Sequence, residues 1–347
     1  FIADNQAAIL GGRNIGDEYF GASSTVAFGD LDALMHGPIV HEVSDAFDLY
    51  WNSDAAYPIE NLMGKQADPQ ALANIRAKLD AYLLSEQSSP YIAQARQRLA
   101  NVIASRDADF FWGKATLLYD DPAKITRKPG DTEGHLMSRF KALSLDPEHE
   151  MLIVSPYFVP GKQGVEWMRS MTARGVRVTV LTNSLAATDV AAVHAGYQRY
   201  RKDLLEAGVT LYELKPIASK DDAKDNAKDD KKSTFGSSKA SLHAKTYVFD
   251  RKRIFIGSMN LDPRSVQLNT EIGVYCESAQ AADQVADGIE KNIDRIAWRV
   301  TLRSGKMVWI DTDANGHETV LDSEPGVSVW KRTGVWMLGI LPIESQL

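Results

Sequence analysis

Hydrophobic residues recur along this chain with two periods, one of two residues and one of three to four. Leu242 to Phe249 alternates apolar and polar positions, the pattern of a strand whose successive side chains face opposite ways. Met151-Leu-Ile-Val154 is an unbroken apolar run, suited to a buried strand, and Ser155-Pro-Tyr157-Phe-Val-Pro-Gly161 follows it. Further strands are expected at Val176–Leu181, Val209–Leu214, Ile254–Ile256 and Ile272–Tyr275, with an extended piece from Val26 to Leu34. Helical spacing marks Ile39–Trp51, Val165–Thr172, Val190–Leu205 and Ala279–Trp298. Residues 59–110 read as mostly helical, with Leu72, Ile75, Leu79 and Leu83 as core positions and Ser88-Ser89-Pro90 as a break. Strands alternating with helices imply an α/β fold, a mainly parallel or mixed sheet flanked by helices.

Two segments fit neither period. Residues 217–240 mix Lys, Asp and Ser without apolar spacing and are expected to form a mobile, solvated loop. Trp330-Lys331-Arg332 to Ile343 sets indoles and cations beside a short apolar run. A buried terminal strand is the simpler reading, and a segment at a lipid interface the other.

With 347 residues, 44% of them hydrophobic, the chain can build two domains or one bilobal unit. Its net charge of −7 lacks the basic excess by which nucleic-acid binders neutralise phosphates, so no nucleic-acid partner is expected. One cysteine, Cys276, excludes an intramolecular disulfide and is expected to pack in a strand. No run reaches the roughly 18 apolar residues of a membrane-spanning helix.

The candidate chemistry lies on the Leu242–Phe249 strand. His243 and Lys245, two apart, share one face and hence one pocket. After four intervening residues stands Asp250, and after six more come Gly257-Ser258-Met-Asn260. Attack on a phosphodiester needs a group that changes protonation near neutral pH, with fixed positive charge and donors around the phosphoryl oxygens. The same spacing recurs near the N-terminus: Asp4 precedes Gly11 by seven as Asp250 precedes Gly257, Gly12 stands where Ser258 stands, and Asn14 matches Asn260. The matching Lys and His would fall before Phe1, so the chain is expected to be truncated at its N-terminus.

The run His243-x-Lys245, Asp250, Gly257-Ser258-x-Asn260 resembles the signature of the phospholipase D superfamily, whose members carry two copies. The segments at 11–20, 155–161, 181–185 and 193–197 resemble bacterial cardiolipin synthases of that type, in particular their class C subfamily. The resemblance implies two similar half-domains, each a mixed sheet flanked by helices, with the first incomplete: 1–130 would end the first half and carry the helical segment, and 131–347 would be the second. It implies transfer of a phosphatidyl group to phosphatidylglycerol through a phosphohistidine, without cofactor or metal, with phosphatidylethanolamine as the class C donor. The partners would be phospholipids and a membrane surface, and the place the periphery of the bacterial inner membrane.

Carried onto this chain, the resemblance makes His243 the general acid/base, while the nucleophilic His belongs to the first copy. Lys245, Asn260 and Ser258, with Asn14, would hold the phosphoryl oxygens, and Gly257, Gly12 and Asp30 complete the substrate-binding set. Glu271 would accept a hydrogen bond from a catalytic imidazole, with Asp30 as its counterpart in the first half. Asp250 counts with the catalytic set by spacing, yet five residues beyond Lys245 it points away from the pocket, toward an ion-pair or turn role. His194, Tyr197 and Arg201 share a helix face that lines a headgroup site or lies on the surface. Lacking one His-x-Lys, residues 1–347 alone are expected to be inactive or nearly so. A phospholipase or nuclease of the same superfamily, and a non-catalytic lipid-binding subunit, are the alternatives.

Overall fold

The computed structural model describes residues 1–20, 27–63, 68–86, 97, 110–128, 130–143, 146–216, 240–341 and 344–347. The break expected at Ser88-Ser89-Pro90 and nearly all of the charged loop at 217–240 lie outside them. The chain forms two units, Phe1–Asp48 with Gly113–Leu347, and Leu49–Trp112.

Strands in chain order are β1 (Ile2–Ala3), β2 (Ala7–Gly11), β3 (Ala27–Gly29), β4 (Asp32–Met35), β5 (Lys114–Tyr119), β6 (Glu150–Val154), β7 (Arg177–Asn183), β8 (Thr210–Leu214), β9 (Ala240–Leu242), β10 (Lys245–Phe249), β11 (Arg253–Gly257), β12 (Ile272–Glu277), β13 (Ala297–Arg303), β14 (Lys306–Thr312) and β15 (Glu318–Leu321). The described helices are α1 (Asp17–Phe20), α2 (Ile39–Trp51), α3 (Ile59–Met63), α4 (Pro69–Glu86), α5 (Leu136–Ala142), α6 (Gly161–Ala173), α7 (Ala191–Gln198), α8 (Arg201–Glu206), α9 (Pro263–Gln267), α10 (Ala279–Ile296) and α11 (Val329–Leu338).

One ten-stranded sheet runs β15-β14-β13-β8-β7-β6-β10-β11-β12-β5. Its centre, β6-β7-β8, is parallel because α6, then α7 and α8, return the chain between strands; β10, β11 and β12 are antiparallel. Alternation along β6 and β10 sends Met151, Ile153, Tyr247 and Phe249 to a core under α5 to α8. Leu152, Val154 and Val248 face the other way, onto Ala282, Ala286 and Ile293 of α10. The sheet is therefore mixed and covered on both faces, as the alternating pattern implied. Cys276 lies half-buried in β12. Strand β5 pairs with β12, so residues 114–119 form an edge of the ten-stranded sheet.

The N-terminal repeat folds as the later copy does. In β1–β2, Ala3 pairs with Ala7 across a turn at Asp4 and Asn5; in β10–β11, Phe249 pairs with Arg253 across Asp250 and Arg251. All four turn residues have positive φ, 49° and 54° in the first hairpin and 52° and 51° in the second. The next ladder matches too: Gly11 faces Asp32 in β4, and Gly257 faces Gly273 in β12. Asp30 and Glu271 thus each stand two residues before the partner of an equivalent glycine.

Four expectations need correction. The C-terminal segment is a helix, α11, not a strand: Ser328 caps it by accepting from Lys331 N at 3.2 Å, and only Val335 of its side chains is buried. The stretch expected to continue one helix to Trp298 turns at Ala297 into β13, because β8 offers an unpaired ladder edge for its backbone. His194, Tyr197 and Arg201 line neither a headgroup site nor the surface; they are buried around Glu213 and Glu324, with His194 Nε2 and Arg201 Nη2 each 2.8 Å from Glu324 Oε1. In the second unit, Leu72, Ile75, Leu79 and Leu83 of α4 stand exposed instead of forming a core.

Candidate active site

Strand β3 joins the two halves where the chemistry lies. It pairs in parallel with β9, Gly29 opposite Leu242, which brings Asp30 beside His243. The strand expected from Leu242 to Phe249 is broken there, since the N–H groups of His243 and Ala244 both donate to Gly29 O, at 2.8 and 3.0 Å. The break frees the His243 ring from the pleat of β10.

The side chain of Asp30 is fully buried, and its Oδ2 lies 2.7 Å from His243 Nδ1. Lys245 Nζ approaches the same nitrogen at 3.0 Å and also donates to the His243 carbonyl. A carboxylate can only accept, so Nδ1 carries the hydrogen toward Asp30, the carbonyl holds the ammonium, and Nε2 is left as the basic nitrogen. The ring is fixed sideways by Tyr19, edge-on at 4.9 Å between centroids, and by Phe28 at 5.4 Å. Arg13 anchors this wall by bonding Asp32 at 2.6 Å and the Tyr19 carbonyl.

Lys245 is buried, and burial lowers its pKa to about 8 against the pull of Asp30, Glu271, Asp189 and Asp262. Its cation is therefore available at neutral pH and lost in mild alkali. Gly12 is needed beside it: a Cβ there would lie 2.9 Å from Lys245 Cδ and 3.2 Å from Asp30 Oδ1. At Gly257 a Cβ would meet Ile272 O at 2.5 Å, so only glycine lets β11 and β12 approach.

Glu271 does not meet His243. Its Oε2 accepts from Ser258 Oγ at 2.5 Å and its Oε1 from Asn269 at 3.3 Å, because the β11–β12 register sets Ser258 against the start of β12. Among the described residues the imidazole partner expected for Glu271 is absent, and Asp30 fills that role for His243. Burial raises the Glu271 pKa. Asp120 fixes the strand end from behind: it accepts from Glu271 N at 2.8 Å, Leu136 N at 2.7 Å and buried Lys124 at 2.9 Å.

Asp250 sits at the far end of β10, where its carboxylate accepts from the N–H groups of Glu148, His149 and Glu150 and from Arg253. This is a turn role, at the end of β10 away from Lys245 and His243. Asn14 reaches the site's edge, donating to the Tyr19 hydroxyl at 2.9 Å. Asn260 is buried, and its Oδ1 accepts no hydrogen bond among the described residues.

Three neighbours escaped the sequence reading. Tyr157 donates to both Asp189 oxygens at 2.9 Å, and Asp262 caps α9 by accepting from Ser265 N at 2.7 Å. Burial lifts Asp262 to about 6. Asp262 follows Asn260 by two and Tyr157 stands in the quoted 155–161 segment, which was the available signal; Asp189 had none.

A protein family described as "Cardiolipin synthase, PLD-like domain" matches residues 145–293. Cardiolipin synthase C of Escherichia coli K12 is 40% identical over 355 residues, covering 99% of this chain and 71% of that protein. An uncharacterized protein of Helicobacter pylori J99 is 30% identical over 315 residues, covering 90% of this chain and 60% of the other. Among solved structures, phosphatidylserine synthase of Haemophilus influenzae Rd KW20 shares the fold with a TM-score of 0.53 at 14% identity, covering 96% of this chain and 65% of that one. The chain thus spans 71% and 60% of the lengths of those two relatives.

Proposed function

Because the chain belongs to the phospholipase D-like family of cardiolipin synthases, we propose that it forms cardiolipin by transferring a phosphatidyl group to phosphatidylglycerol. The observation that carries this reading is the Asp30–His243 pair, in which one half orients the imidazole of the other.

His243 is the general acid/base in this scheme. An imidazole from the first copy of the motif attacks the donor phosphorus, and the departing alcohol takes a proton from His243 Nε2. The glycerol hydroxyl of phosphatidylglycerol then returns a proton to Nε2 as its oxygen replaces the first imidazole on phosphorus. The equivalent positions of Asp30 and Glu271 support a crossed arrangement, in which Glu271 would orient the nucleophilic imidazole as Asp30 orients His243. Lys245 supplies fixed charge to the phosphoryl oxygens, and Asn260, whose side-chain NH2 can donate to them, lies within the same motif. Phosphatidylethanolamine serves as donor. The protein works at the periphery of the bacterial inner membrane; among the described residues no helix is long and apolar enough to cross one.

The test is turnover by purified chain joined to an upstream segment bearing the first His-x-Lys, supplied with vesicles of phosphatidylglycerol and phosphatidylethanolamine. Cardiolipin with release of the headgroup alcohol, lost in His243→Ala, is expected. Phosphatidic acid as the sole product would replace this reading with hydrolysis.

A further inference from the structure

Helix α11 turns most of its apolar surface outward. Its inner side is narrow: buried Val335 and half-buried Leu338 pack with Leu185, Ala191 and Ala195. The outer side carries Val329, Trp330, Trp336 and Met337, followed by Ile340, with Trp330 86% and Trp336 64% exposed. At 3.6 residues per turn these fall on one stripe. Thr333 lies within it, and its hydroxyl is turned back to Val329 O at 3.0 Å, leaving its methyl in the stripe. By the same spacing Arg332 falls at one edge of the stripe, its guanidinium reaching Glu324 O at 3.5 Å, whereas Lys331 falls on the side of Val335 and Leu338. From Pro325 to Leu341 there is no acidic residue, in a chain whose net charge is −7.

We propose that this face of α11 is the surface by which the protein docks on an anionic phospholipid bilayer, the indoles entering the interface and the positive charge of the segment drawing it to lipid phosphates. The inference rests on the phospholipid reading and adds to it a specific element. A soluble helix normally buries its apolar stripe, and an exposed one of this extent marks an interaction surface. Two exposed indoles in a segment, 325–341, whose charged residues are both cations match the chemistry of the headgroup region, apolar below and anionic above.

The surface is also tied to the active site. Arg199 binds the carbonyls of Gly339 and Leu341 just beyond α11, each at 2.5 Å, and Tyr200 binds Glu344 at 2.6 Å. Leu347 O accepts from Arg264 N at 2.7 Å, in the helix that follows the Gly257-Ser258-Met259-Asn260 motif. Contacts at 339–341 and at 344–347 thus lead from α11 to the helix that follows that motif.

The experiment is co-sedimentation of the full chain with phosphatidylglycerol vesicles and, separately, phosphatidylcholine vesicles, scored without turnover. The unmodified chain is expected to bind phosphatidylglycerol vesicles in preference, and a Trp330→Ser/Trp336→Ser/Met337→Ser variant to bind them at least about a hundredfold more weakly. Lys331→Glu/Arg332→Glu is expected to remove the preference for the anionic lipid. An unchanged melting temperature in each variant shows that the fold survives. Equal binding by the triple variant, or no binding by the unmodified chain, overturns the proposal. So does a dimer in analytical ultracentrifugation that the triple variant breaks while vesicle binding persists, since a second copy would then be the occupant. A chain that binds through α11 yet makes no cardiolipin when joined to the upstream His-x-Lys segment upholds this proposal and overturns the enzymatic reading.

Discussion

Asp30 Oδ2 lies 2.7 Å from His243 Nδ1, although 213 residues separate the two in the chain. The carboxylate is fully buried while the ring keeps some exposure, so the pair is an oriented donor facing a small opening. Asp30→Asn keeps the shape but offers an amide that can impose the wrong tautomer. Phosphatidyl transfer should fall by about a thousandfold, with substrate KM little changed, since orienting carboxylates act on the chemical step. Steady-state kinetics on the chain joined to the upstream motif would show it.

Lys245 links the site to pH. Burial holds its pKa at about 8, below the ordinary lysine value, so the ammonium is present below pH 8 and is lost as pH rises through it. Binding of inorganic phosphate or tungstate, followed by calorimetry, should weaken above pH 8. Lys245→Arg, whose guanidinium stays charged, should remove that alkaline limb.

Asp250 separates a structural part of the motif from a chemical one. Against burial, which raises its pKa, the N–H groups of Glu150, His149 and Glu148 and the Arg253 charge hold it below the usual range. A lowered carboxylate contributes stability that is present above its unfolded pKa and is lost as pH falls through the folded one. Asp250→Ala should cost about 2 kcal/mol in urea unfolding at pH 7, and the deficit should shrink below about pH 4. Loss of transfer without loss of stability would show instead that Asp250 acts in catalysis.

The Asp120–Lys124 pair is buried on both sides and holds the end of β12 where Glu271 begins. Removing one partner leaves an uncompensated charge. Lys124→Ala should destabilise the chain by about 3–5 kcal/mol, read as a shift in the urea midpoint. The paired change Asp120→Asn/Lys124→Met should recover part of that loss.

Local rules made much of this legible in the sequence. The repeat could be read with a ruler because both hairpins need the same two left-handed turn residues and the same close glycine, which fixes the spacing from Asp4 to Gly11 and from Asp250 to Gly257. The Lys245 face of β10 followed from alternation. What escaped depends on distant partners. Nothing near Asp30 or His243 says that β3 and β9 pair, and nothing near Ala297 announces the free edge of β8 that turns a helical period into a strand. The C-terminal segment misled because its apolar residues face outward: their spacing was helical, but the expectation of burial favoured a strand.

The most direct test of a shared site that makes cardiolipin is lipid mass spectrometry on cells lacking their own cardiolipin synthases, expressing this chain joined to the upstream His-x-Lys segment, with and without His243→Ala. Cardiolipin should appear with the unmodified site and vanish with the substitution. Cardiolipin that persists in His243→Ala, or that never forms while the protein is stably expressed, would contradict the account.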